Sequence, residues 1–149
     1  VETNGFIGEI EDINLRAVKL RTVDYNLVSI PNKLIIENPI KNFSESTETR
    51  ITLVCGVGYE SNLEKVKELA IAAILQRIPT IFKDSVTLFF TEFADSSINF
   101  QLKFIAPAKN ITEIAFLKSE AIIAIKNAFD KNGVNIPFPI RTVYMNKVE

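Results

Sequence analysis

A chain of 149 residues with 47% apolar and 23% charged side chains has enough apolar mass for one sizeable domain or two small ones. Its formal net charge of −1, with Lys and Arg scattered along the chain, gives no global attraction to nucleic acid or to an anionic bilayer. The absence of histidine excludes histidine-based triads and zinc sites of the His type, and a single cysteine, Cys55, excludes an internal disulfide framework and fits a reducing compartment.

In chain order, Gly8 precedes Glu9-Ile10-Glu11-Asp12-Ile13, where apolar and acidic residues alternate with the period of a half-buried strand. Leu15 to Val23 places Val18, Leu20 and Thr22 on one face and Ala17, Lys19, Arg21 and Val23 on the other. Asp24-Tyr25-Asn26 supplies turn chemistry, and Leu27-Val28-Ser29-Ile30 returns as the partner strand until Pro31 stops it. Five strands in about 45 residues with tight connections would make a small closed barrel, which removes exposed edges. The polar run Ser44 to Thr49 has no apolar anchor and reads as a linker.

From Arg50 the pattern changes. Ile51 to Val57 reads as a strand closed by Gly56-x-Gly58, and it makes Cys55 a buried, inert thiol. Ser61-Asn62-Leu63-Glu64 has the form of a capping box, after which Leu63, Val66, Ala70, Ala73 and Ile74 recur as a helical stripe until Ile78-Pro79. Val86 to Phe93 favours a strand, Ala94 to Ser97 a turn, and Ile98, Phe100, Leu102 and Phe104 alternate with Asn99, Gln101 and Lys103 in a second strand broken by Pro107. A second helix starts near Asn110 or Thr112, carries Ile114, Leu117, Ala121, Ile125, Ala128 and Phe129 on one side, and stops at Asn132-Gly133. Ile140 to Tyr144 reads as a last strand. The order β-α-β, hairpin, α-β makes an antiparallel sheet with both helices on one face, the split βαβ or ferredoxin-like arrangement.

No motif here demands chemistry. Gly56-Val57-Gly58 lacks the third glycine of a dinucleotide fingerprint and the Gly-Lys-Ser/Thr of a P-loop, so it reads as a tight strand-to-helix turn. The same turn has no arginine between Gly56 and Ser61, which removes an acylphosphatase-like phosphate site. Glu9 with Glu11, and Glu64 with Glu68, read as solvated faces rather than acid–base pairs. Asn99, Gln101 and Lys103 form a polar sheet face turned to water or to a neighbouring subunit. Arg16, Lys19 and Arg21, with Tyr25 nearby, form a basic strip of the kind an RNA-binding barrel carries, but Glu9, Glu11 and Asp12 on the adjoining strand offer ion pairing instead. No run approaches the roughly 20 apolar residues that span a bilayer, since the longest, Leu69 to Leu75, lies inside an amphipathic helix. The chain is therefore expected to be soluble and, beginning at Val1, to be a piece of something longer.

Gly5-x-x-Gly8, Leu20-Arg21-Thr22-x-Asp24, Ile30-Pro31-Asn32 and Asn42-Phe43-Ser44 in this order and spacing resemble the middle domain of the small-conductance mechanosensitive channel family, and the similarity continues through the rest of the chain. The resemblance implies an α+β chain. Residues 1–46 would be an Sm-like or SH3-like β-barrel domain lacking its opening strand, and residues 47–149 a ferredoxin-like (βαββαβ) αβ domain whose strand Ile140 to Tyr144 lies near the distal closure of a ring. It further implies a homo-oligomer, usually a heptamer, that forms the cytoplasmic cage of an inner-membrane channel. A Gly/Ala-rich transmembrane helix would stand upstream, ions and small osmolytes would permeate during hypoosmotic shock, and no enzyme activity, catalytic residue, cofactor, metal or nucleic acid would be involved. An Sm-like or ferredoxin-like module that stands alone and binds nucleic acid or a small effector is the alternative. Where the family's hairpin carries Asp-Gly, this chain has Asp24-Tyr25-Asn26, so the positive φ is expected on Asn26.

Overall fold

The computed structural model describes residues 1–147, which divide into two compact units: Val1–Thr47 with Lys109–Ile111, and Glu48–Ala108 with the chain from Thr112 onward.

The first unit is an antiparallel meander of β1 (Glu2–Thr3), β2 (Phe6–Ile13), β3 (Ala17–Thr22) and β4 (Leu27–Pro31), hydrogen-bonded in that order. Asn4 (φ 51°) and Gly5 (φ 79°) form the two-residue hairpin between β1 and β2, the Asn-Gly pairing whose left-handed backbone matches the strand twist. Gly8 sits opposite Thr22 where the strands approach so closely that a Cβ would lie 2.1 Å from the Arg21 carbonyl oxygen. At the β3–β4 hairpin the positive φ falls on Tyr25 (64°) rather than on Asn26. Thr22 closes that turn: its N–H donates to the Asn26 carbonyl and its hydroxyl accepts from the Asn26 amide, leaving Tyr25 at the apex to carry the left-handed step.

The sheet does not close into a barrel. After Pro31 the chain turns into a short helix, α1 (Asn32–Glu37), which the strand pattern of this unit does not announce. The expected fifth strand shrinks to one bridge in which Glu2 and Lys41 exchange two backbone hydrogen bonds of 2.9 Å. The result is a curled half-barrel whose buried apolar side chains are Val18, Leu20 and Ile30 alone among the described residues of this unit.

In the second unit β5 (Glu48–Val57), β6 (Thr87–Phe93) and β7 (Ile98–Pro107) form an antiparallel sheet in the order β5-β7-β6, with β7 central. Glu48 and Thr49, read from the sequence as linker, are the first two residues of β5. Central β7 alternates as expected: Ile98, Phe100, Leu102, Phe104 and Ala106 are buried, and the residues between them are half-exposed. Both helices add to the core on that side, α2 (Leu63–Arg77) through Val66, Ala70 and Ile74 and α3 (Ile111–Lys131) through Leu117, Ala121, Ala124, Ile125 and Phe129. Edge-to-face contacts tie Phe100 to Phe90 (6.0 Å) and to Phe129 (6.2 Å), the geometry the ring quadrupoles favour.

Two expectations fail in this unit. The cap of α2 is Asn62, not Ser61: the Asn62 side chain accepts from the Lys65 amide, so Glu64 falls one position short of a capping-box glutamate, and the Ser61 amide donates to the Gly58 carbonyl instead. The last strand, Ile140 to Tyr144, does not form, and the chain is irregular there. A strand needs a neighbour for its backbone groups, and β5, β6 and β7 provide none for this segment.

Candidate assembly surfaces

The strongest electrostatic features of the first unit neutralise one another. Arg21 reaches across to Glu11 (2.6 Å) and Lys19 to Asp12 (3.7 Å), so two of the strip's three cations are paired strand to strand. The Glu11 carboxylate, hydrogen-bonded and oppositely charged, raises the Arg21 pKa further above its ordinary value. A bulge between Ile10 and Asp12 brings these carboxylates into reach and breaks the strict alternation that placed Glu9 and Glu11 together.

The Gly56–Gly58 turn is likewise committed to the fold. A Cβ on Gly56 would lie 2.7 Å from both Asn99 Oδ1 and Ser97 Oγ, and the Gly58 amide donates to the Asn135 carbonyl at 2.9 Å. That amide is not available to a phosphate. Asn99 joins Ser97 and Glu92 through 2.8 Å hydrogen bonds, so the polar face of β7 is partly self-satisfied, with Gln101 and Lys103 half-exposed beside it. Glu64 and Glu68 stand on the solvent side of α2. Cys55 is half-buried, donates to the Gly56 carbonyl, and is pushed up in pKa by burial. No group of three or more metal-ligating side chains occurs among the described residues.

Apolar side chains are also left uncovered. On the open half-barrel Ile10, Ile13, Val18, Leu20, Ile30 and Ile36 line a cavity of about 350 Å³, whose edge also includes Asn32. Asn32 donates through Nδ2 to the Asn14 carbonyl at 2.9 Å, yet its Oδ1 is buried with no partner. Ile13, Leu15 and Ile36 stand in solvent, Ile36 at 83% exposure. In the second unit the tail carries Phe138, Val143, Tyr144 and Met145 almost fully exposed, Tyr144 at 89%. Apolar surfaces of this kind mark association sites or ligand-binding grooves. The sequence pattern did not disclose the cavity, because it arises where α1 leaves the sheet and α1 was not foreseen.

Two family models match the chain in tandem. One, described as the mechanosensitive ion channel beta-domain, covers residues 1–45; the other, the C-terminal region of the mechanosensitive ion channel MscS, covers residues 51–136. An MscS family protein of Aquifex aeolicus is 32% identical over 99% of this chain and 41% of its own length, and one of Synechocystis is 36% identical over 100% and 49%. The crystal structure of Helicobacter pylori MscS in its closed state superposes with a TM-score of 0.87 at 32% identity, covering 99% of this chain and 57% of that one. The chain thus spans half or less of the curated relatives it matches.

Proposed function

Because the chain belongs to the MscS family of mechanosensitive ion channels, we propose that it is the cytoplasmic cage of a channel that opens under membrane tension and releases ions and small osmolytes during hypoosmotic shock. In this reading residues 1–46 are the Sm-like β domain and residues 47–149 the ferredoxin-like αβ domain. Transmembrane helices upstream would anchor the assembly in the inner membrane. Among the described residues no helix is long and apolar enough to cross a membrane, so force detection is assigned to those upstream segments.

The observation that carries the reading is the open half-barrel with its apolar cavity, in tandem with the split βαβ sheet along a chain similar to MscS throughout. A half-barrel with three buried apolar residues has too little core to stand exposed. Packed side by side, copies would cover those surfaces and build a homo-oligomeric ring, which we take to be a heptamer. Such a ring encloses a vestibule that solutes enter before the pore, and the polar side chains at its openings bias which ions pass. A nucleic-acid module is disfavoured, because Arg21 and Lys19 are already paired with Glu11 and Asp12.

The test is electrical. The full-length protein, expressed in cells lacking their own mechanosensitive channels, should give tension-gated currents in excised patches and rescue survival of a sudden drop in osmolarity. Protein present in the membrane without tension-gated current would overturn the proposal.

A further inference from the structure

We propose that residues 135–140 form a proline-stiffened strap, latched by the Ser96 hydroxyl, that fixes the direction in which the apolar tail leaves the second unit. The strap is held at both ends. At its start Gly133, at φ 70°, turns the chain out of α3, Val134 donates to the Phe129 carbonyl at 2.9 Å, and the Asn135 carbonyl accepts from the Gly58 amide at 2.9 Å. At its far end the Ile140 amide donates to the Ser96 hydroxyl at 3.1 Å. Between the two anchors lies Ile136-Pro137-Phe138-Pro139, whose prolines have fixed φ and no N–H to satisfy.

The strap is more than long enough to cross the end of the sheet. An extended proline-rich segment advances about 3.1 Å per residue, so the steps from 135 to 140 reach roughly 15 Å. The three strands put two spacings of about 4.8 Å between their outer members. The strap can therefore run from the turn after β5, on one edge, to the hairpin joining β6 and β7.

The two anchoring turns are themselves tied together. The Tyr59 hydroxyl, from the turn after β5, donates to the Ala94 carbonyl of the hairpin, and the Tyr59 ring stacks on Phe93 with centroids 6.4 Å apart and planes 8° from parallel. Ala94 closes the hairpin on the Ser97 carbonyl at 2.8 Å, and Ser97 bonds Asn99. Ser96 is thus presented from a braced turn. It acts as a positioning residue: by holding Ile140 it sets the course of Val143, Tyr144 and Met145, which are exposed.

Amide hydrogen exchange on the full chain tests the latch. The Ile140 amide should exchange at least about tenfold more slowly than those of Arg141 and Thr142. Ser96→Ala should bring Ile140 to its neighbours' rate and speed tryptic cleavage after Arg141, while Ser96→Thr restores protection. Amides of β7 should keep their protection in both variants. An unprotected Ile140 in the wild type, or protection that survives Ser96→Ala, would overturn the proposal. Loss of β7 protection together with Ile140 in Ser96→Ala would also overturn it, since Ser96 would then be needed for the sheet rather than for the tail.

Discussion

At the residue scale, the tightest constraint is Gly8. Its Cα faces the backbone of β3, and the added methyl of Gly8→Ala would meet Arg21 oxygen, Arg21 carbon and Thr22 Cα all within 3 Å. All three are backbone atoms, so the strands must separate rather than a side chain swing away. We expect a loss of roughly 2 kcal/mol or more, read as a lower urea midpoint. Cys55 gives a pH-dependent signature. Burial raises the thiol pKa, so the folded state holds its proton longer than the unfolded chain does. The linked stability is complete below the free-thiol pKa of about 8.5 and declines as pH rises through the higher folded-state value. Iodoacetamide at pH 8 should therefore modify the native protein more slowly than the urea-unfolded chain, and equal rates would contradict the burial of Sγ.

At the scale of elements, helix starts and strand ends turn on a partner being present. Asn62 caps α2 by accepting from Lys65, so Asn62→Ala should cost about 1 kcal/mol of unfolding free energy and Ser61→Ala close to nothing. The reverse ranking in denaturation curves would restore the capping box. The central aromatic cluster is the stronger determinant. Phe100 and Phe129 are fully buried and in edge-to-face contact, and Phe129→Ala should cost about 3–5 kcal/mol, enough to unfold much of the second unit at physiological temperature. The alternation along β7 and the stripes on α2 and α3 were legible because burial on one face imposes a period. Ile140 to Tyr144 has the same β-favouring character but no neighbouring strand, so the pattern there stated a preference that pairing does not fulfil. α1 was missed for the opposite reason: six residues are too short to show a helical period.

At the scale of the whole molecule, the exposed apolar surface is what an assembly would bury. Covering one isoleucine recovers about 1.5–3 kcal/mol. Replacing Ile13 and Ile36, both exposed, by Asp should leave the unfolding midpoint of the chain nearly unchanged yet shift the proposed homo-oligomer of the full-length protein towards smaller species in native mass spectrometry. An unaltered oligomer distribution would place the contact elsewhere on the molecule.

The sequence by itself determined the strand and helix periods, the helix stop at Asn132-Gly133, and the short motifs whose order and spacing resemble the family, because each is written in local side-chain chemistry. Tertiary structure alone decided that the half-barrel stays open, which carboxylate each of Lys19 and Arg21 pairs with, and that Asn135 and Ile140 are pinned to turns far away in the chain. Those outcomes depend on which backbone and side-chain groups meet in space, and no local period encodes that.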